Sequence, residues 1–317
     1  MILVTGATGL VGNALVRHLA ADRTISDIAA ASRRHDVSWP EGVRATQVTQ
    51  PLFTMDWSLS LQGVHVVIHC AARVHVMKQN SPDSLTEFGL INVDGTANLA
   101  RQAAAAGVRR FIYLSSVKVN GESTNPGHPF TADDTPAPQD PYGISKHEAE
   151  QLLHQIAADT DMEIVIIRSP LVYGPRVKAN FASMIRCLMR GMPLPLASIT
   201  GNRRSLVAID NLVDFLVTCI NHPAAANQTF LVSDGEDLST AEILRRMGDA
   251  LGHPARLFHV SPELLKVGAM ALNKANIYQR LCGSLQLDIT KTRELLNWTP
   301  PISVEEGFRR TAYAFCR

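Results

Sequence analysis

A strand, a glycine-rich turn and a helix in immediate succession open this sequence. No other feature constrains the fold as strongly. Met1–Thr5 is a short apolar run of strand length. Gly6-Ala7-Thr8-Gly9-Leu10-Val11-Gly12 follows, and Asn13–Ala21 carries helical periodicity. Glycines three apart at such a junction let backbone N–H groups approach a pyrophosphate, and the helix N-terminus favours its charge. A tight turn without a ligand would use the same spacing. The first turn of a parallel α/β sheet, however, is where dinucleotides bind. Gly6, Gly9 and Gly12, with Thr8, Leu10 and Val11 between them, are therefore the expected cofactor cradle. Asn13, just inside the helix, reads as a local polar residue rather than a ligand.

The chain continues in the same alternation. Ile28–Ser32 reads as a second strand and Val43–Val48 as a weak third. Val64–His69 is a continuous apolar run, as a parallel strand buried on both faces would be. Asn92–Ala106 is Ala-rich, helical and stopped by Gly107; Arg110–Ser115 and Ile164–Arg168 are further strands. Between them a helix runs from Pro141-Tyr142 to about Ala158. Strands alternating with helices, without Asn-Gly hairpin turns, predict an α/β fold with a doubly wound parallel sheet of Rossmann type. After Ser169 the pattern changes. Gly174-Pro175 and Pro193-Leu194-Pro195 interrupt it, and helix-like segments follow at Ala179–Arg190, Asp210–Asn221, Ser239–Leu251, Thr290–Asn297 and Val304–Phe315. Thr229–Ser233 is strand-like. The expected organisation is a dinucleotide-binding domain of residues 1–170 that also receives 205–233. Residues 171–204 and 234–317 would form a smaller, mixed, mostly helical substrate lobe.

Composition removes several function classes. At 317 residues, 46% apolar and 19% charged, the chain suits a soluble globular protein with a sizeable core. A net charge of +1 carries no footprint for nucleic acid. The apolar runs are too short for a membrane span, and Met1 leads straight into a strand-like run rather than a secretory leader. Cys70, Cys187, Cys219, Cys282 and Cys316 are odd in number and widely spread, without metal-ligand spacing. Free thiols, a cytoplasmic location and no metal site are expected.

The end of the second strand bears on the cofactor. A carboxylate there would bond a ribose 2′-hydroxyl, whereas Arg accommodates a 2′-phosphate. The chain reads Ala31-Ser32-Arg33-Arg34, with no carboxylate before Asp36. Ser32, Arg33 and Arg34 favour NADP(H), with NAD(H) possible. The plain alternative is a solvated basic loop.

Tyr142 and Lys146 lie four apart, on one helix face. A free phenol has a pKa of about 10, and a nearby ammonium lowers it, so the two can form an acid/base pair. At this spacing a Tyr and a Lys are also common surface neighbours. Ser115-Ser116, at the end of a strand, add a hydroxyl where α/β sheets place functional side chains. Alone, two such serines more often bond their own loop.

Together, in this order, these motifs resemble the extended short-chain dehydrogenase/reductase family, in its nucleotide-sugar epimerase/dehydratase branch. Thr5–Gly12, His69-Cys70-Ala71-Ala72, Asn92-Val93-Asp94-Gly95-Thr96, Ser115-Ser116 and Tyr142-Gly143-Ile144-Ser145-Lys146 carry the resemblance. So do Arg168–Pro175 and Asn297-Trp298-Thr299-Pro300, so it spans nearly the whole chain. The resemblance implies a catalytic set of Ser116, Tyr142 and Lys146. Ala71 and Ala72 would line the cofactor channel, and Lys146 would bond the nicotinamide ribose. It further implies a UDP-sugar substrate held by Arg204, Arg280 and Asn180, and a homodimer built from two helices per subunit. Lys118 and Asn120 depart from the family pattern at positions that face the sugar, so both are expected to bear on substrate choice. The loop carrying His75 resembles one beside the sugar in a subgroup acting on UDP-N-acetylhexosamines. A 4,6-dehydratase would need an Asp-Glu pair where Val117 and Lys118 stand. The expected activity is therefore NADP(H)-dependent 4-keto reduction of a UDP-2-acetamido-2,6-dideoxy-hexos-4-ulose, serving surface polysaccharide synthesis. Epimerisation at C4 of UDP-glucose or UDP-N-acetylglucosamine is the alternative. An NADPH-binding regulator without turnover is a third reading, and the intact Ser/Tyr/Lys set argues against it.

Overall fold

Ile2–Thr5 forms strand β1, buried at every position, and the sheet is built outward from it. The structure is a computed structural model that describes residues 1–22, 27–74, 86–125, 127–272 and 274–316. After β1 come helix α1 (Leu10–Ala21), β2 (Ile28–Ser32) and β3 (Val43–Gln47). β4 (Val66–His69) follows, then a π-helical turn (Gly89–Asp94) that runs into α2 (Gly95–Ala105). β5 (Arg110–Ser116), α3 (Pro141–Asp159) and β6 (Glu163–Ser169) complete the regular alternation. β9 (Gln228–Leu231) returns to pair with β6. The strand order is β3-β2-β1-β4-β5-β6-β9, parallel throughout.

This order reverses direction between β1 and β4. The chain leaves β1 toward β2 and β3, then crosses back to lay β4 on the other side. In open α/β sheets ligands bind outside the strand ends at such a switch point. Gly6 follows β1 there and Ala71-Ala72 follow β4, so two segments far apart in sequence meet at one crevice.

Alternation within the strands builds one core on each face of the sheet. Val4, Ile68 and Ile112 point to the face covered by α1 and by α5 (Ile209–Asn221), with Phe215 and Trp298 packed in T-shaped contact at 4.9 Å. Leu3, Val67 and Phe111 point to the other face, covered by α2 and α3 through Leu99, Ala103, Ala149 and Leu153. β3 lies at the edge and is half exposed, which explains its weak apolar signal. β4 begins later than its apolar run, because the Val64 N–H closes a turn on the Leu61 carbonyl at 3.0 Å.

The second sheet could not be read as a set from the sequence. It consists of β7 (Leu171–Tyr173), β8 (Arg204–Ala208) and β10 (Asp237–Leu238), strands too short to show a period. Around it lie α4 (Ala179–Met189), α6 (Thr240–Ala250) and α10 (Val304–Phe315), joined by a third apolar cluster that includes Tyr173, Phe181, Leu206, Met247 and Phe308. α7 (Pro262–Ala271), α8 (Ala275–Cys282) and α9 (Thr290–Leu296) complete the chain. α7 has no buried residue, so no inward stripe marks it in the sequence. Among the described residues no helix is long and apolar enough to cross a membrane, and no cluster of His, Cys, Asp or Glu could hold a metal ion.

Candidate active site

The glycine turn is shaped by contacts with its own backbone and with β4. Gly6 has φ +65°, a conformation L side chains rarely adopt, and a Cβ there would lie 2.6 Å from the Ala71 nitrogen. A Cβ on Gly12 would collide with the Gly6 carbonyl. The Gly9 N–H donates to that same carbonyl at 2.8 Å. α1 then starts at Leu10 with Gly9 as its N-cap, no side-chain cap and no acidic residue in its first turn. Its leading N–H groups are thus left for an anion, which fits a dinucleotide pyrophosphate. Val11 and Gly12 continue the helix, and Ala71 and Ala72 stand half-buried across the crevice. Gly6→Ala forces this turn away from Ala71. Cofactor dissociation should rise about tenfold or more, since strain of this kind costs on the order of 1–3 kcal/mol. Isothermal titration with circular dichroism as a fold control measures it, and unchanged affinity would contradict this reading of the turn.

At the end of β2, Ser32 is buried and its hydroxyl accepts the Arg34 N–H at 2.9 Å. The Arg34 side chain forks onto Asp36 at 3.2 and 3.0 Å, with both groups mostly exposed. Such a surface pair is worth about 0–1 kcal/mol, so a phosphate could draw the guanidinium away from it. Arg33 is exposed beside it, its carbonyl held by Gln47 Nε2 at 3.1 Å.

Tyr142 and Lys146 stand on the first turns of α3. Pro141 opens this helix and the Asp140 carboxylate caps it, accepting the Gly143 N–H at 2.6 Å. Lys146 is 1% exposed. Its Nζ donates to the Leu114 carbonyl at 2.8 Å, sits 4.4 Å over the Tyr113 ring and lies 5.9 Å from the Tyr142 ring. Burial lowers its pKa to about 8, with Cys70 and Glu150 acting the other way. Tyr142 packs edge-on against Phe88 at 6.1 Å. The sequence predicts a phenol made more acidic by Lys146. Instead, burial first and the Asp140 charge second push it above its ordinary value. Desolvation of the phenolate outweighs an ammonium at this distance.

Ser116 ends β5, and its hydroxyl accepts the Lys118 N–H at 3.3 Å. The N-terminus of α3 packs directly on the segment after it, since a Cβ on Gly143 would lie 2.8 Å from the Lys118 carbonyl. That contact brings the end of β5 and the start of α3 together.

Two groups that support these residues escape a motif-based reading. Glu150 is buried; it accepts from the Ser115 hydroxyl at 2.5 Å and from Arg168 at 2.7 to 3.2 Å. Its spacing was available: residues 142, 146 and 150 recur every four along one helix face. Asn92, in the π-helical turn, donates to Ser145 Oγ at 3.0 Å and clasps the Arg73 backbone through both its amide atoms. His69 lies between Thr5 and Thr96 at 2.6 and 3.1 Å, and burial lowers its pKa to about 3, so it stays neutral.

The expected sugar-nucleotide residues are placed differently from one another. Arg204 opens β8 and donates to the Gly283 carbonyl at 3.0 Å. Burial lowers its pKa; Glu122 opposes this and Arg280 adds to it, so the three charges share one neighbourhood. Arg280 is exposed on α8, and Asn180 is exposed in the first turn of α4. Asn120 faces inward: it is 2% exposed, its oxygen accepts from Arg168 at 3.1 Å and its nitrogen donates to the Thr131 carbonyl at 2.9 Å. Lys118 is ion-paired with Glu122 at 2.8 Å and with Asp140. His75 lies outside the described residues.

The profile of the NAD dependent epimerase/dehydratase family matches residues 2–233. A UDP-glucose 4-epimerase of Vibrio cholerae is 49% identical over 314 residues, 99% of this chain and 95% of that one. Among solved structures, the UDP-glucuronic acid 4-epimerase of Bacillus cereus in complex with NAD superposes with a TM-score of 0.80 at 21% identity, covering 99% and 98% of the two chains. The UDP-glucose 4-epimerase of Thermotoga maritima with UDP-glucose gives 0.79 at 21%, with the same coverage.

Proposed function

The chain belongs to the NAD dependent epimerase/dehydratase family, and on that premise we propose that it is an oxidoreductase acting at C4 of a UDP-sugar. We read it as a 4-keto reductase using NADP(H), with a UDP-2-acetamido-2,6-dideoxy-hexos-4-ulose as substrate. The observation that carries the reductase reading is the end of β2, where Ser32, Arg33 and Arg34 offer a hydroxyl and two guanidiniums with no carboxylate before Asp36. That set suits a 2′-phosphate, and a reductase must exchange its cofactor at every turnover.

The nicotinamide cofactor, when bound, supplies the hydride chemistry. Its pyrophosphate would be held by Gly6, Thr8, Gly9, Leu10, Val11 and Gly12, with Ala71 and Ala72 across the crevice. Tyr142 gives its proton to the C4 oxygen, and Ser116 holds that oxygen as charge develops on it. A phenol pushed up by burial keeps its proton at neutral pH, as a donor in reduction must. Lys146, fixed by the Leu114 carbonyl, would hold the cofactor ribose beside it. Residues 171–204 and 234–317 would hold the sugar nucleotide, with Arg204 and Arg280 as diphosphate anchors. Asn180 would assist them. Two helices per subunit would build a homodimer.

Epimerisation at C4 is the second reading, favoured by the 49% identity to a UDP-glucose 4-epimerase. Incubation with UDP-N-acetylglucosamine and catalytic cofactor separates the two. UDP-N-acetylgalactosamine formed without net NADPH consumption would refute the reductase. Cofactor choice has its own test. Arg33→Ala combined with Arg34→Ala should weaken NADPH binding by about tenfold or more relative to NADH, since each phosphate contact by a charged group is worth about 1.5–3 kcal/mol. Equal or tighter binding of NADH by the unaltered protein would overturn the preference.

A further inference from the structure

A charged cluster joins the two segments that carry Ser116 and Tyr142, and the chemistry above makes no use of it. Lys118 Nζ donates to Glu122 Oε1 at 2.8 Å and to the Asp140 carboxylate, and about a quarter of each side chain is exposed. Asp140 uses its other oxygen to cap α3. The backbone of Lys118 is engaged as well. Its N–H donates to the Ser116 hydroxyl, and its carbonyl packs on Gly143 so closely that a side chain there has no room. One residue thus touches the hydroxyl after β5 with its backbone and the cap of the Tyr142 helix with its side chain.

The charges around Tyr142 make this contact consequential. Asp140 lies two residues before it, and a carboxylate there disfavours the phenolate. The other groups recorded about Tyr142 are Lys146 on the same helix, Tyr113 on β5 and the ring of Phe88. Among the described residues, Lys118 is the cation paired with Asp140.

We propose that Lys118 is a positioning residue: by bridging Asp140 and Glu122 it fixes the cap of α3 against Ser116 and screens Tyr142 from the Asp140 charge. This rests on the reading of Tyr142 as the proton donor.

The test needs no sugar substrate. Tetranitromethane nitrates a tyrosine through its phenolate, and mass spectrometry locates the product, so the rate at Tyr142 relative to exposed Tyr313 reports the phenolate fraction at fixed pH. Lys118→Met should lower that ratio by about three- to tenfold, one pKa unit being tenfold. Adding Asp140→Asn, which keeps a capping side chain, should restore it. Asp140→Asn alone should raise it. An unchanged ratio in Lys118→Met, or a fall that Asp140→Asn does not reverse, would overturn the proposal. If Lys118→Met does not fold, Asp140→Asn decides alone, and an unchanged ratio refutes. Failure of every UDP-sugar to turn over would instead condemn the functional reading and leave the nitration result standing.

Discussion

Tyr142→Phe is expected to lower kcat by about 10²–10⁴-fold, the usual contribution of a positioned proton donor. Cofactor affinity should stay within about twofold, because removing one hydroxyl leaves the ring packed on Phe88. Ring position and proton delivery are separable here: the helix, its cap and Phe88 hold the ring, and the proposed chemistry draws on the hydroxyl alone. The pH dependence carries the same signature. Burial and Asp140 push the phenol above its ordinary value, so Tyr142 is protonated throughout the neutral range. Reduction, which consumes that proton, should run flat through neutral pH. Oxidation of the alcohol needs the phenolate and should accelerate as pH rises. In Tyr142→Phe both rates should collapse and the alkaline rise should vanish. A variant that keeps more than about a tenth of the activity would remove Tyr142 from the chemistry.

Glu150→Gln should be the most damaging conservative change for stability, at about 3–5 kcal/mol in urea denaturation. Glu150 is 2% exposed and is the counter-charge of Arg168, itself buried. Losing the charge strands a guanidinium in the interior. It also weakens the bond from Ser115 and the anchor for Asn120 through Arg168. Those contacts tie α3 to β5 and β6 directly beneath Lys146, so kcat should fall along with stability. Glu150→Gln combined with Arg168→Met removes both charges and should recover a substantial part of the stability. A single variant as stable as the parent would mean that the pair is dispensable.

Much of the site was legible because its parts are local in sequence. The glycine turn reveals itself within seven residues, and Tyr142 and Lys146 share a helix face through their spacing alone. The strand order is that of the expected doubly wound parallel sheet, since apolar runs buried on two faces mark such a sheet. What escaped the sequence depends on partners brought together by folding. Asp140 caps the Tyr142 helix, but nothing local in the sequence says that it pairs with Lys118. Asn120 is expected beside the sugar, yet its side chain bonds Arg168 from β6 and the Thr131 carbonyl. The acidity of Tyr142 has the same origin: the sequence shows the lysine nearby, and only packing shows how much water is excluded from the phenol. β7, β8 and β10, at 3, 5 and 2 residues, carry too few positions for a period to emerge.

Hydride delivery to a sugar carbon tests the central claim most directly. The protein would be given the UDP-linked 4-keto sugar and NADPH deuterated at the transferable position of the nicotinamide, with the product read by NMR. The account predicts one deuterium at C4 of the sugar for each cofactor oxidised, with the signal lost in Tyr142→Phe. Product carrying no deuterium at C4, or deuterium at another carbon, would contradict it.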